Sequence, residues 1–78
     1  MRTLANLKAG ERGTIRVISA ENSLRQRLYD LGLTPGTTIE LIKFAPLGDP
    51  LEITLRGYRL TLRKSEALFV VLKEDSHA

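Results

Sequence analysis

The side chains of this sequence that can do chemistry are mostly guanidinium groups. Eight arginines and four lysines stand against nine acidic residues, with one histidine, one methionine and no cysteine. A thiolate metal site is therefore impossible. Met1 and His77 sit at opposite ends of the chain, neither beside a preorganised neighbour. Asp30, Asp49 and Glu52 offer oxygen ligands, but nothing in their spacing brings two of them together. No nucleophile with a base is discernible, no glycine-rich phosphate loop follows a strand, and His77 is badly placed for general-base work. These residue types predict no catalytic centre, no cofactor and no metal site.

What they can do is present positive charge. Arg25 and Arg27 fall off the apolar stripe of a helix, where their guanidinium groups can face an acidic protein surface or phosphates. The plainer reading is a solvated helix face in which Arg27 pairs with Asp30 three residues on; such exposed pairs contribute about 0 to 1 kcal/mol. A second candidate is Pro46-Leu47-Gly48-Asp49-Pro50, where Leu47, held between prolines, can protrude at little ordering cost. The same residues are turn formers that a tight connection needs for its dihedrals. Arg25, Arg27, Leu47 and the Leu33 of the turn after the helix are the candidate partner-binding residues.

The element that must carry the arginines is the stretch Ser23 to Gly36, SLRQRLYDLGLTPG. Ser23 followed by Gln26 is a capping-box spacing and predicts the helix start. Leu24, Leu28 and Leu31 make one apolar stripe of 3.6-residue period. Gly32 predicts a left-handed stop, with Leu33 folding back and Pro35-Gly36 turning the chain onward. The surrounding segments alternate like strands. Thr14 to Ile18 sets Ile15 and Val17 against Thr14 and Arg16, and Thr38 to Phe44 is apolar on both faces, as a curved barrel strand would be. Leu51 to Leu55 and Tyr58 to Leu62 alternate cleanly around a hairpin turn at Arg56-Gly57. Lys64 to Ala67 suits a single helical turn, Leu68 to Lys73 a largely buried last strand, and Glu74 to Ala78 a fraying polar tail. The expected fold is all-β: a small SH3-like barrel of about five strands with one short α-helix between the first and second strands. An OB-fold would place its helix between the third and fourth. Residues 1–74 are expected to form one domain and 75–78 a flexible tail.

Composition narrows the function classes. The chain is short enough for one economical core and, at 42% hydrophobic and 27% charged residues, ordinary for a folded domain. No apolar run approaches the ~20 residues that span a bilayer, and Met1 to Gly10 lacks a secretory apolar core. Without cysteine, a reducing cytoplasm is the expected compartment. The net charge of +3 permits an acidic partner, but four aromatics, Tyr29, Phe44, Tyr58 and Phe69, leave few rings for stacking bases. A nucleic-acid-binding barrel and a weakly self-associating module are the alternatives to a protein-binding one.

Leu24-Arg25-Gln26-Arg27-Leu28-Tyr29-Asp30-Leu31-Gly32-Leu33-Thr34-Pro35-Gly36 fits the pattern LR-x-RL-x-x-LGL-x-PG and resembles the FeoA family of bacterial ferrous iron uptake. Ala45-Pro46-Leu47-Gly48-Asp49-Pro50 and Leu62-Arg63-Lys64-Ser65-Glu66-Ala67 agree in the expected order. The resemblance implies an SH3-like barrel and a non-enzymatic accessory role beside FeoB, a membrane permease with a cytosolic GTP-binding domain. The implied task is binding FeoB at its cytoplasmic side, to regulate or assemble it, with the membrane met only through FeoB. An arginine near a GTPase also suggests an arginine finger, for which the sequence gives candidates but no positioning.

Overall fold

The computed structural model describes residues 1–74. After a 3-10 turn at Leu4–Asn6, the chain forms β1 (Arg12–Ile18), α1 (Asn22–Asp30), β2 (Thr38–Phe44), β3 (Leu51–Leu55), β4 (Tyr58–Leu62), α2 (Lys64–Ala67) and β5 (Val70–Leu72). The strands make one antiparallel sheet in the order β4-β3-β2-β1-β5. This is the expected SH3-like all-β barrel, with the longer helix between the first and second strands. His77 and most of the tail that should fray lie outside the described residues.

Alternation along β3 is strict, with Leu51, Ile53 and Leu55 buried against half-exposed Glu52 and Thr54. Arg56 and Gly57, both at positive φ, make the two-residue turn into β4. β1 does not keep its alternation. A bulge between Ile15 and Val17 in the pairing with β5 switches the inward face to Ile18 and leaves Val17 36% exposed, contrary to the expected inward Val17. A second irregularity, between Leu41 and Lys43, lets β2 bend while Ile39 and Leu41 stay in the core. The last strand is shorter than expected. Leu68 and Phe69 belong to the link from α2 and are 55% and 39% exposed, so burial begins at Val70.

Both sheet edges have neighbours. On the β5 side, Thr3 bridges Val71 and the Leu72 N–H donates to the Arg2 carbonyl. On the β4 side, the Tyr58 hydroxyl donates to the Leu31 carbonyl at the end of α1. On the β5 side the pairing satisfies backbone groups that would otherwise template another chain, whereas the Tyr58 contact ties β4 to α1 through a side chain.

α1 begins one residue before the expected Ser23. Asn22 takes a left-handed conformation (φ 42), which asparagine tolerates, and the Glu21 carbonyl accepts from the Leu24 and Arg25 N–H groups. Ser23 therefore lies inside the helix and makes no cap, and Gln26 donates to Asp30 Oδ1 at 2.9 Å instead of closing a box. The other end matches expectation. Gly32 has φ 97, its N–H donates to the Tyr29 carbonyl, and the Leu33 N–H reaches back to the Leu28 carbonyl at 3.0 Å. Leu28 and Leu33 are both fully buried there. The following turn is sewn to β1 by Gly36 N–H to the Ile15 carbonyl and Ile15 N–H to the Thr37 carbonyl. No helix among the described residues is long and apolar enough to cross a membrane.

Candidate interaction surface

Three stretches distant in sequence meet at one groove. Arg27 from α1, Asp49 and Pro50 from the β2–β3 connection, Thr61 and Leu62 from β4, and Arg63 and Glu66 at α2 enclose about 370 Å3. These are the helix, the proline-rich connection and the LRKSEA turn already singled out in the sequence.

The groove's two carboxylates are occupied by the fold itself. α2 is a single turn whose first N–H groups need partners. Asp49 Oδ1 accepts from the Lys64 N–H at 2.9 Å, and Glu66 Oε1 reaches back to the Arg63 N–H at 3.0 Å. Glu66 is 8% exposed, a costly place for a bare charge, and its second oxygen meets Arg27 Nη2 at 2.7 Å. Arg27 therefore pairs with Glu66 across two helices and not with Asp30, as sequence proximity suggested. Because the Arg27 side chain remains 61% exposed, the pair is partly screened by solvent. Arg27 keeps guanidinium N–H groups facing outward, and Arg63 has no carboxylate within salt-bridge distance among the described residues. The groove presents donors, with both oxygens of Glu66 and one of Asp49 already engaged.

The remaining candidates separate. Arg25 is exposed and has no ion pair among the described residues, but it stands two positions from Arg27 on a helix, about 200° around the axis. The two guanidinium groups cannot face one partner surface together. Leu33 is fully buried, because its place after the helix stop folds it into the core. Its side chain offers nothing to a partner, and the structure removes it from the candidate surface. Leu47 is 98% exposed at the tip of the β2–β3 connection, where the Gly48 N–H donates to the Ala45 carbonyl and the Ala45 N–H to the Pro50 carbonyl. Nothing within the fold uses that side chain.

Sequence reasoning missed Arg63, Glu66 and Asp49 as groove residues. The signal was present: a glutamate three residues after the residue preceding a helical turn is a box spacing, which operates at Glu66 and not at Gln26. It also missed Leu68 and Phe69, whose exposure follows from their place before β5. Among the described residues no group of three or more His, Cys, Asp or Glu side chains is placed to hold a metal.

A family model described as the FeoA domain matches residues 2–73. The solution structure of FeoA from Chlorobium tepidum is similar at a TM-score of 0.86 with 39% identity, over 97% of this chain and 76% of that one. Stenotrophomonas maltophilia FeoA, solved with zinc and described as an SH3 domain protein, is similar at 0.82 with 27% identity, over 94% of this chain and 91% of that one. A fusion of Fe(2+) transport protein A with the Fe(2+) transporter FeoB from Porphyromonas gingivalis is 30% identical over 64 residues. Those residues are 82% of this chain, which spans 8% of the fusion's length.

Proposed function

This chain belongs to the FeoA family, and from that membership we propose that it is a non-enzymatic accessory domain of ferrous iron uptake that binds FeoB at the cytoplasmic side of the membrane and regulates or assembles it. The observation that carries the reading is the fusion, in which a similar segment shares one chain with FeoB. A covalent link raises the effective concentration of two modules to about the millimolar range, an advantage only when they engage each other.

The surface we assign to this contact is the groove. Its outward donors at Arg27 and Arg63 suit carboxylates or backbone carbonyls of FeoB, and Leu47 beside it can enter an apolar recess, the combination of a polar rim and an apolar anchor that interfaces use. The working unit in this proposal is residues 1–74.

The test is binding to separately produced FeoB nucleotide and membrane domains, measured for the parent chain, for Arg27→Glu with Arg63→Glu, and for Leu47→Asp. Binding to one piece, weakened at least about tenfold by either change with the fold intact, is the expected result. Equal binding by parent and variants excludes the groove; no binding to either piece, or to both combined, excludes the partner.

A further inference from the structure

We propose that the outer face where β1, β2 and the chain after β5 meet is a binding site for a phosphate group. The residues are Arg2, Arg12, Thr14, Thr38 and Lys73, around a recess of about 310 Å3 that also touches Gly13 and Glu74. The site lies apart from the groove described above and does not depend on the FeoB reading.

Its assembly follows from the strand pairing. Thr14 and Thr38 are direct cross-strand partners, and their hydroxyl oxygens stand 3.2 Å apart. One hydroxyl donates to the other, so the pair retains one O–H for a ligand. The Lys73 N–H donates to the Thr14 carbonyl at 2.8 Å, and the Leu72 N–H donates to the Arg2 carbonyl at 2.9 Å, which sets Lys73 and Arg2 beside the hydroxyls. Gly13 lines the recess without a side chain, and a Cβ there would stand 2.7 Å from Leu72 Cδ1, so the Leu72 side chain would have to shift to admit one.

The charges are available. Neither Arg2 nor Lys73 has a carboxylate within 4.0 Å among the described residues. Arg12 is held by Glu40 at 3.6 Å with a 72% exposed side chain, a pair weak enough to yield to a stronger acceptor. Among the described residues the recess lining holds one carboxylate, Glu74, which is 74% exposed, stands 4.0 Å from the N-terminal amine and is well screened. A guanidinium fork, an ammonium and a hydroxyl approaching from separate segments suit a tetrahedral anion with acceptors in several directions better than a planar carboxylate. The phosphate belongs either to a soluble phosphate ester or to an anionic lipid headgroup.

The test uses the full chain, 15N-labelled and titrated with pyrophosphate at constant ionic strength, then with phosphatidylcholine vesicles with and without phosphatidylglycerol. Saturating amide shifts grouped at Thr14, Thr38 and Lys73 are expected. Arg2→Gln with Lys73→Gln should weaken binding about tenfold or more, Thr38→Val should weaken it less, and Lys43→Gln should leave it unchanged. Saturation by pyrophosphate supports the site with a soluble source. Binding confined to the phosphatidylglycerol vesicles and lost in the double variant supports it with a lipid source. Shifts spread over all cationic side chains without saturation, or a folded double variant that binds like the parent, overturns it.

Discussion

Gly32 and Gly36 permit a controlled test of why α1 stops where it does. Both have nearly the same backbone, φ 97 and φ 93, so replacing either with alanine imposes a similar left-handed penalty of about 1–2 kcal/mol. Their surroundings differ. A Cβ on Gly36 would meet nothing within 4 Å, whereas one on Gly32 would stand 2.8 Å from Tyr58 Oη and 3.3 Å from Leu55 Cδ1. The Tyr58 ring can move aside only by releasing its hydroxyl from the Leu31 carbonyl, a bond that contributes about 1 kcal/mol. Gly32→Ala should therefore cost at least ~1 kcal/mol more than Gly36→Ala, which for a domain of this size separates the two melting midpoints by roughly 4–8 °C. Urea and thermal unfolding followed by circular dichroism measure both. In the background of Tyr58→Phe, which removes the obstructing oxygen, the difference should shrink. Equal losses for the two glycine variants, or a difference unchanged by Tyr58→Phe, would refute the claim that Gly32 is required by the approach of β4 as well as by its own dihedral angle.

Three further outcomes follow from the same contacts. Glu66→Ala removes the acceptor for the Arg63 N–H and the partner of Arg27, and should lower stability by about 1–2 kcal/mol, most of it from the lost cap because the ion pair is half in solvent; Arg27→Ala, measured by the same unfolding assay, should cost less. Leu33→Ala empties a fully buried site and should cost about 2–5 kcal/mol, while Leu47→Ser should change stability by less than ~0.5 kcal/mol, a contrast that unfolding midpoints read directly. Thr37→Val should cost about 1 kcal/mol, since Thr37 is 6% exposed and its hydroxyl bonds Thr34 at 3.0 Å and accepts from Arg56 Nη2 at 2.9 Å.

What was legible in the sequence was what depends on near neighbours. The stop of α1 could be read because Gly32, Leu33 and Pro35 act within one turn, and the β3–β4 hairpin because its alternation and its two-residue turn are local. The start of α1 was misplaced because two local solutions compete: Ser23 has the right spacing for a cap, but Asn22 accepts a left-handed φ and starts the helix first. The bulge that exposes Val17 is set by how β1 pairs with β5, at the far end of the chain, so no window around Val17 contains its cause.

The same distinction moves the functional argument. Judged by sequence, Arg25 and Arg27 were equivalent surface arginines and Asp30 the natural counter-charge. In the fold Arg27 turns to Glu66 and leaves Arg25 on another face. Glu66 and Asp49 balance the charge of the groove's two arginines, and each gives one oxygen to the backbone at the start of α2. The pairing between α1 and α2 thus has two effects: it links the two helices and engages the second oxygen of Glu66, while Arg27 and Arg63 remain as outward donors. A partner that supplies acceptors gains charge-assisted hydrogen bonds without displacing the internal ones, because a guanidinium has five N–H groups and the bond to Glu66 engages one nitrogen. The sharpest probe of the surface is therefore Arg63, whose side chain has no ion pair among the described residues. Under the proposed role, Arg63→Gln should weaken binding to FeoB while leaving unfolding unchanged, whereas Arg27→Gln should move both.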